Sequence, residues 1–253
     1  MISSMYRIND GYSHSSGIKR ASSNKISTQP MASPSSSTPF QIGDHEVECL
    51  ALLLDLIESR NWEAFEFIIT SNPTVFASFA MAVQRSSHEL NGMTILHACV
   101  RFDPPPRIVE LLVELVPDSP SRVDCVGRTP LHVAAGSRAS PALMGVLARA
   151  HPRACATRDD DGKTPLHLAC DNECDLFEGG DEDEGGEERR LLPREPPSYD
   201  VVRALVKVDP LCVPLEDYAG MSALEHAIIS NAPIRVVKLL QYVTKKQCEK
   251  EDR

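Results

Sequence analysis

Up to residue 43 the chain has no apolar period. Twelve Ser fall in the first forty positions, and no Leu or Val appears before Val47 and Leu50. Such a stretch buries too little apolar surface to offset the entropy of ordering, so residues 1–43 read as a disordered tail. From Asp44, the expected N-cap, the pattern changes. Val47, Leu50, Ala51, Leu53, Leu54 and Ile57 form a broad stripe at helical spacing. Trp62, Phe65 and Ile68 continue it on a second helix after Ser59-Arg60-Asn61, and Pro73 stops that helix. A helix pair over 44–72 is the result.

Beyond it the pattern repeats. Thr129-Pro-Leu-His132 recurs as Thr164-Pro-Leu-His167, 35 residues on, and 35 residues back stands Thr94-Ile-Leu-His97. Ser222-Ala-Leu-Glu225 follows after 58 residues, one period plus a 23-residue insertion. Two positions before each Thr or Ser stands Gly92, Gly127, Gly162 or Gly220, and three before each glycine an acid, Glu89, Asp124, Asp159 or Asp217. Pro117, Pro152 and Pro210 hold a further column. Acid and glycine predict a tight turn. Thr caps a short helix whose first position accepts Pro130 or Pro165, because no N–H is needed there. Leu96, Leu131, Leu166 and Leu224 then anchor the core, over small residues such as Ala134 and Ala169. A second helix follows in each unit, through Val109/Leu112, Met144/Leu147, Val202/Leu205 and Val237/Leu240. The proline column ends it.

These residues resemble the ankyrin repeat, a turn carrying D-x-x-G-x-TPLH-x-A followed by two antiparallel helices. The resemblance implies an all-α ankyrin-repeat solenoid of stacked helix pairs joined by short β-turn fingers. It spans 44–245, with the pair at 44–72 as a cap and repeats near 89–120, 124–154, 159–213 and 217–245. Residues 246–253 form a polar tail. The family also implies that His97, His132 and His167 bond the neighbouring finger's backbone, and that Gly92, Gly127, Thr129, Gly162, Thr164 and Gly220 are structural. Departures are a 35-residue period, Ile95 in place of proline, nine extra residues between Pro73 and Thr94, and Glu225 in the histidine column with His226 displaced by one.

Composition narrows the chemistry. A net charge of -10 argues against a nucleic-acid partner, and no apolar run is long enough to span a membrane. Eight scattered cysteines and the lack of an apolar leader point to a reducing compartment, cytoplasmic with the nucleus as the alternative. No four-ligand metal set has usable spacing, and Gly162-Lys163-Thr164 lacks the earlier glycine of a phosphate loop. No catalytic residues, metal or cofactor are expected. Residues 171–199 hold eleven acids against three arginines. Their insertion, 173–197, is read as disordered and solvated, with a lure for a basic partner or divalent cation as the sharper alternative.

The resemblance implies a non-catalytic adaptor or scaffold, monomeric on its own, that binds another protein through its concave finger and inner-helix surface. The expected contacts are Met93, Arg101, Arg128, Asp160, Asp161, Lys163, Tyr218 and Met221, with Tyr218 and Met221 as apolar anchor and Arg128 as polar anchor. The alternative is a regulatory or targeting subunit of an enzyme complex.

Overall fold

The computed structural model describes residues 43–86, 90–172 and 196–251. The Ser-rich start, Glu89 and nearly all of the acidic insertion lie outside them. Among the described residues there are eleven α-helices and no strand. They are α1 (Asp44–Glu58), α2 (Trp62–Ser71), α3 (Pro73–Arg85), α4 (Ile95–Val100), α5 (Pro106–Leu115), α6 (Pro130–Gly136), α7 (Pro141–Ala150), α8 (Pro165–Cys170), α9 (Tyr199–Val208), α10 (Ala223–Ile229) and α11 (Ile234–Glu251). None is long and apolar enough to cross a membrane.

The short helices α4, α6, α8 and α10 pack each on the next as an inner row, and α5, α7, α9 and α11 form the outer row. One continuous apolar core runs from Leu50 to Val243. Every residue of α4 and α8 is buried. A helix of six residues is too short to persist alone, so neighbours on both sides hold it.

Corners between inner and outer helices repeat one geometry. Arg60, Arg138 and Asn231 take left-handed backbone angles (φ 55°, 60° and 50°). The next residue then bonds back into the helix: Asn61 N–H to Leu56 O, Ala139 N–H to Ala134 O and Ala232 N–H to Ala227 O, each 2.9 Å. Carbonyls that would otherwise be stranded at the helix end are thereby satisfied. After α4 the left-handed residue is Asp103 (φ 48°), and its carboxylate accepts Ser140 N–H at 2.8 Å. The corner after α8 is different. Asp171 is extended there (φ -91°, ψ 111°) and the chain departs into the insertion. Asn172 fastens that exit to the end of α10, its N–H reaching Ser230 Oγ at 2.9 Å.

Three sequence expectations change. Asp44 is the first helical residue rather than the cap. The N-cap is Gly43, whose N–H is taken by Glu46 Oε2 at 2.8 Å. Pro73 ends α2 but also begins α3, a thirteen-residue helix absent from the 44–72 pair. The residues before the prolines explain why: Asn72, Val116, His151 and Asp209 share φ near -140° and ψ of 75° to 95°. Proline excludes helical geometry from the residue ahead of it and itself fits the first turn of a new helix. Three repeats spend that start on a 3-10 turn (Ser119–Ser121, Pro152–Ala156, Pro210–Cys212). The first unit, with its nine extra residues, extends it into α3, which packs on α2, α4 and α5. Lastly, 246–251 continue α11 instead of forming a tail, because buried Gln247 prolongs the Val236, Leu240, Val243 stripe. In α11 the buried partner of Leu240 is accordingly Val236, with Val237 half-buried.

Candidate partner-binding surface

Each complete finger is closed by one carboxylate. Asp124 Oδ1 accepts Val126 N–H at 3.0 Å and Arg128 N–H at 2.8 Å. Asp159 does the same for Asp161 and Lys163 (3.1 and 2.8 Å), and Asp217 for Ala219 and Met221 (both 2.9 Å). Short acidic side chains suit this local role. The glycines three residues later have φ of 75° to 78°, a region that costs other residues strain.

Successive fingers are joined by single backbone bonds. Cys125 N–H reaches Asn91 O at 2.9 Å, Asp160 N–H reaches Val126 O at 3.0 Å, and Tyr218 N–H reaches Asp161 O at 3.0 Å. The row is tight. A Cβ on Gly92 would stand 3.1 Å from Cys125 N, and one on Gly162 would stand 2.7 Å from the Tyr218 ring.

The periodic histidines make a second tie. His97 Nδ1 accepts Thr94 N–H at 3.0 Å, so its Nε2 carries the proton and donates to Arg128 O at 3.0 Å. His132 links Thr129 to Lys163 O (3.1 Å), and His167 links Thr164 to Met221 O (3.1 Å). Burial is the dominant influence on their protonation, lowering their pKa values to about 4, about 3 and about 4. Both ring nitrogens of each are occupied, which leaves no lone pair for a metal. Burial likewise pushes the Cys170 thiol up to about 12, the state of a packing residue rather than a nucleophile.

The fourth unit departs. Glu225 Oε2 accepts Ser222 N–H at 2.7 Å and Ser222 Oγ–H at 2.8 Å, so it caps α10 without reaching onward. His226 turns back to its own finger, its Nε2 standing 2.8 Å from Asp217 Oδ2 and its ring edge-on to His167. Burial raises the Asp217 carboxyl, but the His226 contact and the Met221 and Ala219 N–H bonds outweigh it, and the net shift is downward.

The eight expected contact residues divide. Asp160, Asp161 and Tyr218 are exposed, Tyr218 by 71% even though its ring edge lies over Gly162. Met221 is half-buried beside it. Met93 is 3% exposed and belongs to the apolar core with Leu90, Ile95 and Leu96, not to the surface. Arg128, the expected polar anchor, is largely covered: its side chain is 14% exposed and its Nε stands 3.9 Å from Asp159 Oδ2 of the next finger. Lys163 is drawn inward to Asp171 Oδ2 at 3.1 Å. Arg101, also half-buried, lies with its guanidinium 5.5 Å from the Phe102 ring. Sequence reasoning missed the contacts that occupy these cations, and it missed His226 as the partner of Asp217. Each joins positions whose approach is visible only after folding.

No curated protein matches the chain. A family model described as ankyrin repeats (3 copies) matches residues 96–178. That match falls on the part where the fingers, the TPLH histidines and the inner helix row coincide, and residues 96–178 are ankyrin repeats.

Proposed function

We propose that this protein is a non-catalytic adaptor that grips a protein partner along its row of fingers and the adjoining inner helices. Ankyrin repeats are in general protein-interaction modules. The observation that carries the reading is the unbroken ladder of fingers, which holds exposed Asp160, Asp161 and Tyr218 on backbone already fixed by hydrogen bonds. A surface ordered before binding loses little further entropy when it meets its partner. Aromatic side chains with a nearby half-buried methionine make effective anchors. Tyr218 and Met221 supply the apolar contact, and Asp160 and Asp161 supply the charge beside it. Arg128 and Lys163 act instead as braces between and behind the fingers.

Quantitative capture from cell extract tests this, comparing the full chain with Tyr218→Ala/Met221→Ala. The expected result is loss of the captured protein at unchanged helical content by circular dichroism. Equal capture by both forms removes the fingers as the binding surface.

A further inference from the structure

Helix α11 differs from the rest of the molecule in charge and length. It has eighteen residues where α5, α7 and α9 have ten. In a chain of net charge -10 it carries Arg235, Lys238, Lys245, Lys246 and Lys250 against Glu249 and Glu251. Val236, Leu240, Val243 and Gln247 are buried at helical spacing. Arg235, Lys238, Tyr242, Lys245 and Lys246, with Glu249 as the one acid among them, therefore fall on the outward side, and all six are exposed. Tyr242 is 62% exposed, with Lys246 Nζ 5.8 Å from its ring centre. An outer helix that needed only to close the stack would require neither this charge nor this length.

The acidic insertion begins and ends beside this helix. Asn172, its last described residue on one side, is bonded to Ser230 by N–H to Oγ at 2.9 Å and by Nδ2 to the carbonyl at 3.3 Å. Ser230 caps α10, four residues before α11 starts. On the other side Tyr199 opens α9, and the Arg235 guanidinium of α11 lies 5.1 Å from its ring centre. Both attachment points thus touch the last repeat. Between them, residues 173–195 hold ten acids and three arginines. A chain of that length has a root-mean-square reach of roughly 25 Å, against about 27 Å for the whole of α11. Tethering at both ends raises the local concentration of those carboxylates at the lysines to about the millimolar range without any specific fit.

We propose that the acidic residues of segment 173–195 dock on the outward basic face of α11 in the same molecule. The contact is electrostatic, and it covers a patch that would otherwise attract polyanions to a protein built to bind something else. It is independent of the finger surface, so the two readings fail separately.

Carbodiimide cross-linking of the full chain tests it, since that reagent joins carboxylates to amines only where they already meet. In monomer at low salt, peptides carrying Asp181–Glu188 should be joined to Lys238, Lys245 or Lys246 about fivefold more than to Lys207 of α9. The preference should vanish at about 0.5 M salt. Equal cross-linking to Lys207, or cross-links confined to dimers, overturns the proposal. A second measurement uses immobilised heparin as the polyanion. Replacing Asp181, Glu182, Asp183 and Glu184 by their amides should convert a chain that flows through into one that is retained. Adding Lys238→Glu, Lys245→Glu and Lys246→Glu should abolish that retention. An amide variant that is no better retained than the original chain also overturns it.

Discussion

The third and fourth fingers carry the same acid, the same left-handed glycine and the same carboxylate-closed turn, yet they stand in different surroundings. A Cβ on Gly162 would collide with Tyr218, whereas one on Gly220 would meet nothing within 4 Å. His167 ends on the carbonyl of the following finger, while Glu225, in the same column, ends on its own cap. The difference separates two jobs that a repeat sequence superimposes. Aspartate, glycine and Ser/Thr make a finger. Histidine, and the close approach that glycine allows, join one finger to the next, and a terminal unit keeps the first set while losing the need for the second.

The largest break in that symmetry comes from acid. His97, His132 and His167 have folded pKa values of about 4, about 3 and about 4, below the ordinary 6.5 of the unfolded chain. Below pH 6.5 the unfolded state therefore binds more protons, and stability that is complete above that pH is lost as pH falls towards 4. Asp159 opposes them: burial lifts its carboxyl to about 6, so it favours the folded state as pH falls from 6 towards 3.8. Asp124, whose carboxyl burial also raises, opposes them too, and the balance is a net loss of no more than about 5 kcal/mol between pH 6.5 and 4.5. Urea melts across that range should show the midpoint falling as pH falls. A midpoint that stays level would mean the histidines are not held neutral.

Removing one tie is the next step down. His132→Ala empties a buried site and strands Thr129 N–H and Lys163 O, for about 4 kcal/mol. Glu225→Ala in the same column should cost about 1 kcal/mol as a lost cap. Thermal unfolding of the pair measures the gap, and equal losses would erase the distinction between interior and terminal units. Between these lie the glycines. Gly162→Ala meets both a forbidden angle and the Tyr218 ring, for about 3 kcal/mol, whereas Gly220→Ala meets the angle alone, about 1 kcal/mol. Denaturant midpoints should keep that order.

Much of this was legible in the sequence, for a definite reason. Turn and cap residues answer to the backbone within four positions, so Asp159, Gly162 and Thr164 announce their geometry wherever they stand. Repetition then revealed the stack, because a column recurring every 35 residues implies one environment repeated. What stayed hidden depends on approach across the fold. Met93 looked like a tip residue until folding buried it in the core, and Arg128 and Lys163 looked free until Asp159 and Asp171 came within reach. Helix α3 was hidden differently. Proline both ends and begins helices, and nothing local to Pro73 says that the chain will build a full helix where its counterparts make a single turn. The candidate surface was therefore legible as a place, the row of fingers, and less so as a set of side chains.

The smallest effect is expected where the stack stops. Counting from the capping residue, Val100, Ala135, Cys170 and Ile228 are equivalent positions of the four inner helices. The first three are 0%, 2% and 0% exposed, because the next inner helix lies over them, while Ile228 is 53% exposed on α10. A polar substitution there should change stability by no more than about 0.5 kcal/mol, whereas Val100→Ser should cost about 3 kcal/mol by burying a hydroxyl and leaving a void. Equilibrium unfolding of Ile228→Ser and Val100→Ser, side by side, measures both. The comparison is sharpest here because the two side chains are similar, both sit at the sixth helical position, and only what packs above them differs. A large loss at Ile228 would mean that α10 is covered in solution, by another copy or by a part of this chain outside the described residues, and the last repeat would then be interior after all.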